Sequence, residues 1–446
     1  MKGRCKIRSL KRKWSLSGGA AAGVAAALVL LLFQAAAAQD VVRHGEKLSL
    51  DRCIQIALER LPAILAARAA AEVDRNVVRE AESAFYPQVG WSASIGRASV
   101  GPRTSLGIQT DAVTYNSYST GLTLSQNIYD FGRTSGQVRI DKLSYSASLA
   151  DVETASQQAV FDVKQSFYGV LQAERNRDVA EEAVRQYELR LEQAQGLFEV
   201  GLQPKYDVTK ASVDLGNARV GQINARNAVR LALAALNGAM GLTGHLDYDV
   251  EGDLAFAAYG PTLEDALAQA YKNRPDLAAL AARREAAEKT VARVRAGFFP
   301  ALSGAASYDY SGNAFPLSRG WSLSLNLGLS LFSGFQTRAQ VDEARASLEV
   351  LRAGEEAGRQ AVYLAVQKAY LDLKQAEELV PVAELNVTAA QENYDIASGS
   401  YKEGVGDPIQ VADASAALIG AKTAYIQALA DCKVYRASLE LAMGLR

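Results

Sequence analysis

Between residues 321 and 331 the chain alternates without a break. Trp321, Leu323, Leu325, Leu327, Leu329 and Leu331 are apolar, while Ser322, Ser324, Asn326, Gly328 and Ser330 are small or polar. That period of two is the mark of a strand with unlike faces. It recurs in Val89, Trp91, Ala93 and Ile95 against Gln88, Gly90, Ser92 and Ser94, and in Leu122, Leu124 and Ile128 against Gly121, Thr123, Ser125 and Asn127. Residues 302–310 follow it more weakly. Four strands of roughly 9–12 residues are predicted, the length of a tilted membrane strand. Aromatic residues stand at their ends: Phe85, Tyr86, Tyr118, Tyr129, Phe131, Phe298, Phe299, Tyr308, Tyr310, Trp321 and Phe332. Such girdles mark membrane interfaces. The alternative is a soluble sheet with one buried face, but the polar rows carry small uncharged residues rather than Lys and Glu.

The rest of the chain has a helical period. Residues 134–197 and 336–399 are dense in Ala, Glu, Gln, Leu and Val and contain no proline before Pro381. Apolar residues recur at spacings of three and four, as in Val160, Val163, Phe167, Val170 and Leu171, which gives a stripe for packing on neighbours. About 60 residues at 1.5 Å each make helices on the order of 90 Å long. Helices of that length without a globular core are expected to be antiparallel coiled-coil elements. Glycine-bearing tips at 200–204 and 404–408 turn each one back, into returning helices over 207–241 and 408–443.

These segments are two copies of one unit. Residues 48–96 align without a gap on 261–309, so that Leu50, Pro62, Glu72, Phe85 and Pro87 fall on Leu263, Pro275, Glu285, Phe298 and Pro300. Farther on, Tyr168 meets Tyr370, Gly201 meets Gly404, and Met240-Gly241-Leu242 meets Met443-Gly444-Leu445. The first repeat is placed at 48–242, with a strand pair at 87–130, and the second at 261–445, with a strand pair at 301–332. Residues 243–260 form a linker. Each unit reads as short helix, helix, strand, strand, very long helix, turn, helix. Ser49 and Thr262 are the expected caps of the short helices, which Pro62 and Pro275 close.

The first 38 residues read as an export signal. Seven basic residues precede an apolar run, Ala20 to Phe33, and Ala36-Ala37-Ala38 offers a small-residue cleavage pattern. The run is too short to span a bilayer comfortably. Removing it takes Lys+Arg from 48 to 41 against 49 acidic residues, a net charge of −8, which argues against nucleic acid as a partner. Cys53 and Cys432 remain in an oxidising compartment, where they could form one disulfide. The chain has two histidines, His44 and His245, neither near a cysteine, and no phosphate-binding Gly-Lys-Ser/Thr loop. No catalytic site, metal site or cofactor is expected.

Four membrane strands cannot close a barrel, and open edges in lipid leave backbone groups unpaired at several kcal/mol each. The chain must therefore assemble with copies of itself. Eight strands leave an interior filled by side chains, so a conducting pore favours three copies or more.

This order of elements resembles the TolC-like outer-membrane efflux protein family over residues 48–445. The similarity rests on Phe-Tyr-Pro (85–87) and Phe-Phe-Pro (298–300) opening the strands, and on Ile-Tyr-Asp-Phe-Gly-Arg (128–133) and Leu-Phe-Ser-Gly-Phe (331–335) closing them. The tips Phe198-Glu-Val-Gly201 and Tyr401-Lys-Glu-Gly404 match too, as do the helix starts Asp-Val-Thr-Lys-Ala (207–211) and Val-Ala-Asp-Ala (411–414). The resemblance implies an α+β membrane protein in which a homotrimer shares a 12-stranded β-barrel and an α-helical barrel in the periplasm. It implies no enzymatic activity. It implies an exit duct for tripartite efflux or type I secretion, embedded in outer-membrane lipid and partnered by a periplasmic adaptor and an inner-membrane transporter.

The family closes its periplasmic entrance with polar links and acidic rings. By position, Asp207 and Tyr401 match a linked pair, and Asp413 matches a ring aspartate. The other ring position is Gln410, and a link arginine is replaced by Gly406. A plainer reading makes Asp413 a helix-start carboxylate and Asp207 an N-cap. Adaptor docking is expected at Gly201, Leu202, Gly404 and Val405. The competing reading of the whole chain is a soluble periplasmic coiled-coil structural or adaptor protein, which would need no aromatic-girdled strands. An envelope hydrolase would need a nucleophile and base that the sequence lacks.

Overall fold

The computed structural model describes residues 45–105, 108–244, 248–403 and 405–446. The expected export signal, both histidines and Gly404 lie outside the described residues. The chain forms two compact units. The smaller, within residues 1–48 and 244–249, pairs β1 (Glu46–Leu48) with β6 (Tyr248–Val250). This second strand lies within the linker read at 243–260, and its three residues are too few to show a period in the sequence.

The larger unit is helical, with one open sheet. Its first half runs α1 (Leu50–Arg60), α2 (Pro62–Ser83), β2 (Gln88–Val100), β5 (Val113–Tyr129), α3 (Arg133–Glu199) and α4 (Lys205–Ala239). Two three-residue strands, β3 (Arg103–Ser105) and β4 (Ile108–Thr110), pair in the longer loop of this half. The second half runs α5 (Leu263–Asn273), α6 (Pro275–Arg295), β7 (Ala301–Gly312), β8 (Ser318–Gly328), α7 (Gln336–Lys402) and α8 (Pro408–Ala442). Matching helices have nearly the same length: 11 residues in α1 and α5, 67 in α3 and α7, and 35 in α4 and α8.

Local chemistry sets the boundaries. The Ser49 hydroxyl accepts from Arg52 N, and Thr262 and Asp265 form a reciprocal capping box. Pro62 and Pro275 each start the next helix, where a missing N–H costs nothing. Pro381 lies inside α7, which continues through it. Strand β8 ends at Gly328 although the alternation continues to Leu331. The pairing Ala301↔Gly328 exhausts β7, so residues beyond it have no ladder partner.

Ion pairs show how the long helices lie together. Lys142 of α3 meets Glu82 of α2 at 2.8 Å, and Asp151 of α3 pairs with Arg283 of α6. Nearer the tip, Glu188 and Glu181 of α3 each pair with an α4 arginine, Arg219 and Arg226, at 3.0 Å, and Glu182 meets Lys422 of α8 at 3.2 Å. The lateral order is therefore α2–α3–α6–α7 beside the sheet and α4–α3–α8–α7 toward the tips. Small side chains let these helices approach closely. Ala266, Ala270, Val366, Ala369, Leu373, Leu439 and Met443 pack one core of the second half, and Val163, Phe167 and Val170 are buried in the first.

Candidate functional site

The sheet order is β2–β5–β7–β8, antiparallel throughout, so β5 and β7 join the two halves and β2 and β8 are free edges. The register gathers the apolar positions into one face. Trp91 opposes Leu122, Leu122 opposes Tyr308, and Tyr308 opposes Trp321. Val89, Leu124, Ala306 and Leu323 form the next row. Among the described residues no side chain of this face is buried: Ile95 is 83% exposed, Trp321 78% and Leu325 71%. The other face holds Ser94 against Ser119 at 2.8 Å and Ser307 against Ser322 at 2.9 Å. Aromatic residues gather in two tiers. Tyr129, Phe131 and Phe299 stack beside the helices, and Tyr118, Tyr308, Tyr310 and Phe315 cluster by the loops. An apolar sheet face this large, left bare in water, would drive aggregation.

The strand-to-helix junction at 128–133 is a built corner. Phe131 and Gly132 take positive φ values of 54° and 90°. The Asp130 carboxylate receives Thr134 N at 2.8 Å, Gly132 N at 3.1 Å and Asn127 Nδ2 at 2.7 Å. Partial burial alone would raise its pKa, but these hydrogen bonds outweigh it and the pKa falls below the ordinary aspartate value. Arg133 donates to the carbonyls of Ala296 at 3.0 Å and Phe299 at 2.7 Å, tying the first corner to the second.

At the far end, α3 stops in a Schellman turn. Gly201 has φ +77°, Gly201 N donates to Phe198 O, and Leu202 N donates to Leu197 O. In the second tip Val405 N and Gly406 N both donate to Ser400 O. A Cβ on Gly406 would lie 2.7 Å from the Tyr401 amide nitrogen, so this turn excludes the arginine that the family pattern would place there. Leu202 and Val405 project outward, 73% and 83% exposed.

Tyr401 and Asp207 are both buried, each 7% exposed, and lie within electrostatic reach of one another. Burial raises the Tyr401 pKa, the Asp207 carboxylate raises it further, and the Arg190 guanidinium of α3 pulls it back. Arg190 donates to Val411 O of α8 at 3.0 Å, lies over the Tyr187 ring at 5.2 Å, and keeps a buried Nη1 with no hydrogen-bond partner among the described residues. It is a cation of the right kind on a different helix from the missing one. Nothing in the sequence distinguishes it from the many solvated helical arginines. Asp207 is not a cap, because the α4 N-cap is Pro204 and Asp207 is the third helical residue. The α8 cap is Asp407, which accepts from Ile409 N at 2.8 Å. Asp413 lies a turn farther in, exposed on the same face as Gln410. The structure thus brings Asp207, Tyr401 and Arg190 together and leaves Gln410 and Asp413 on a face that this chain does not bury.

The disulfide considered between Cys53 and Cys432 is not formed; both thiols are free and buried. Cys432 packs among Ala266, Ala270 and Leu373 in the second half. Cys53 is on α1, at the position that the repeat equates with Ala266, so each thiol belongs to the core of its own half. Burial pushes the Cys53 thiol up to about 11 and raises that of Cys432. Among the described residues no helix is long and apolar enough to cross a membrane, and no group of His, Cys, Asp or Glu could hold a metal.

The model of the outer membrane efflux protein family matches twice, over residues 53–242 and 266–445. The outer membrane protein TolC of Vibrio cholerae is 24% identical over 302 residues, 65% of this chain and 66% of that protein. The chain thus spans just under two thirds of this relative's length. Among solved structures, a membrane protein from Pseudomonas aeruginosa superposes with a TM-score of 0.77 at 21% identity, covering 89% of this chain and 93% of that one. The outer membrane protein VceC of Vibrio cholerae superposes at 0.76 with 17% identity, over 89% and 96%. These structures share the fold, and the two family matches fall one on each half of the repeat. With four antiparallel strands at one end, paired helical tips at the other and a family match on each half, this chain belongs to the outer membrane efflux protein family.

Proposed function

We propose that the chain is one of three copies forming an exit duct of an efflux system, which crosses the outer membrane as a shared 12-stranded barrel and continues inward as a helical tube. The observation that carries this reading is the open sheet, with an apolar face that none of the described residues buries and two edges that none of them pairs. Lipid satisfies the face, and copies of the chain satisfy the edges. The soluble adaptor reading would need that face buried.

The repeat supplies the joint. Within one chain Leu122 of β5 faces Tyr308 of β7. Carrying that pair to the equivalent strands, by offsets of 203 and 213 residues, sets Leu325 of β8 against Ile95 of β2 in the next copy. Both are apolar, so the lipid-facing row continues across the seam. The helices have matching open sides: Val350, Leu364, Leu385 and Ile396 are exposed on α7, and Val213, Val220 and Ile223 on α4. The test is oxidation of the Ile95→Cys, Leu325→Cys double variant in outer membranes. These positions lie on opposite edges of one sheet and cannot meet within a chain. Covalent trimers are expected, together with single-channel conductance of the wild type in planar bilayers. Monomers alone, or a wild type that passes no current, would reject the duct.

Toward the periplasm, the Asp207–Tyr401–Arg190 cluster holds the tips closed, and Gln410 and Asp413 face the bore. Adaptor hairpins dock on the tips, at Gly201 and Leu202 in one half and at Gly404 and Val405 in the other, and connect the duct to an inner-membrane transporter. Leu202→Asp with Val405→Asp is expected to abolish co-purification of the adaptor while trimer yield stays unchanged. Undiminished co-purification would move the docking surface elsewhere.

A further inference from the structure

The inward face of the sheet carries one charge. Along the polar rows of β2, β5, β7 and β8 every other described residue is Gly, Ser, Thr, Ala, Asn, Gln, Val or Tyr, and Asp309 is the one carboxylate. Its surroundings are cleared for it. In register, Asp309 sits between Gly121 on β5 and Gly320 on β8. A Cβ on Gly121 would lie 2.9 Å from the Asp309 Cβ, and one on Gly320 would lie 3.2 Å from Asp309 Oδ2. Glycine weakens a strand, so two of them on both sides of one residue mark a place where space matters more than strand propensity. Ser307 donates to Asp309 Oδ1 at 3.4 Å, and the carboxylate is half-buried. The repeat does not require this residue, because the equivalent position in the first half is Gly96.

From this geometry we infer that Asp309 is the specificity-determining residue of the outer half of the duct, setting a preference for cationic over anionic solutes. The inference rests on the trimeric barrel proposed above. In it, Asp309 lies between Tyr308 and Tyr310, both on the lipid face, and so stands inside the wall at the level of the loop-side aromatic tier. Three carboxylates at that level, with only small neutral side chains beside them on the bore face and Arg319 turned to the opposite face, give the inner surface of the outer mouth a negative potential. In a narrow low-dielectric bore such a field raises the local concentration of cations and lowers that of anions.

The test is the reversal potential of single trimers in planar bilayers under a potassium chloride gradient. Asp309→Asn keeps the shape and removes the charge, and is expected to lower the potassium-to-chloride permeability ratio by about threefold. Asp309→Cys adds a chemical control. An anionic methanethiosulfonate reagent applied from the loop side restores the wild-type ratio, and a cationic reagent lowers it further. Cys53 and Cys432 are buried and do not compete. A ratio unchanged in Asp309→Asn, or a thiol at 309 that neither reagent alters, overturns the assignment. Wild-type protein that conducts no current overturns the duct instead, so the two failures are distinct.

Discussion

Leu325→Arg is expected to eliminate heat-resistant trimers and to leave the helices intact. Leu325 is the middle of the Trp321–Leu329 apolar row and is 71% exposed, with no neighbour in its own chain to hide it. An arginine near the bilayer midplane costs about 2–4 kcal/mol per barrel position, and a trimer carries it three times. Because the same residue is placed at the seam against Ile95, the charge also interrupts the joint between copies. Unheated gel migration and outer-membrane fractionation read the loss, while far-ultraviolet circular dichroism shows the retained helix. The control is one residue away. Ser324 points to the opposite face, and Ser324→Lys is expected to leave the trimer intact and change its conductance. If Leu325→Arg inserted and trimerised as well as Ser324→Lys, the apolar row would not face lipid.

The second large effect is at the tips. Arg190→Ala removes the cation that acts on Tyr401 and the donor to Val411 O, leaving Asp207 and the phenol buried together. Losing a partner for buried polar groups costs about 2 kcal/mol, which is roughly a 30-fold shift of the closed-to-open ratio. Single-channel recording should show long openings where the wild type rests nearly closed. The same contact gives a pH dependence of definite sign. The Tyr401 pKa is raised, so the folded tip favours the neutral phenol over the phenolate. That contribution is complete below the ordinary tyrosine value of about 10 and is lost as pH rises through the raised value. Alkaline conditions are therefore expected to open the wild type, and Tyr401→Phe to remove this dependence. An Arg190→Ala channel with wild-type closure would assign the gate to other residues.

The site was legible in unequal parts. Asp130 lay inside a recognised motif, yet its role as the acceptor for Thr134, Gly132 and Asn127 needed the corner itself. Gly406 stood out as a departure from the family pattern, but the reason, a backbone approach to Tyr401, is visible only in the folded turn. Arg190 carried no signal, since a helical arginine is solvated unless something far away in the chain covers it. Cys53 and Cys432 suggested a bridge because sequence shows that two thiols exist and not which core each enters.

Local periodicity and composition alone determined the element types, their order and the repetition of the unit. A strand with one apolar face must alternate, a packed helix must recur at three and four, and proline and glycine must mark the turns, so those signals are written residue by residue. The tertiary structure decided what depends on pairs distant in sequence. The β5–β7 register collects the apolar residues of two repeats on one face, α3 lies between α2 and α6 and again between α4 and α8, and Arg190 reaches Val411 and Tyr401 from another helix. Such contacts are set by how two surfaces approach in space, and no single segment encodes that approach.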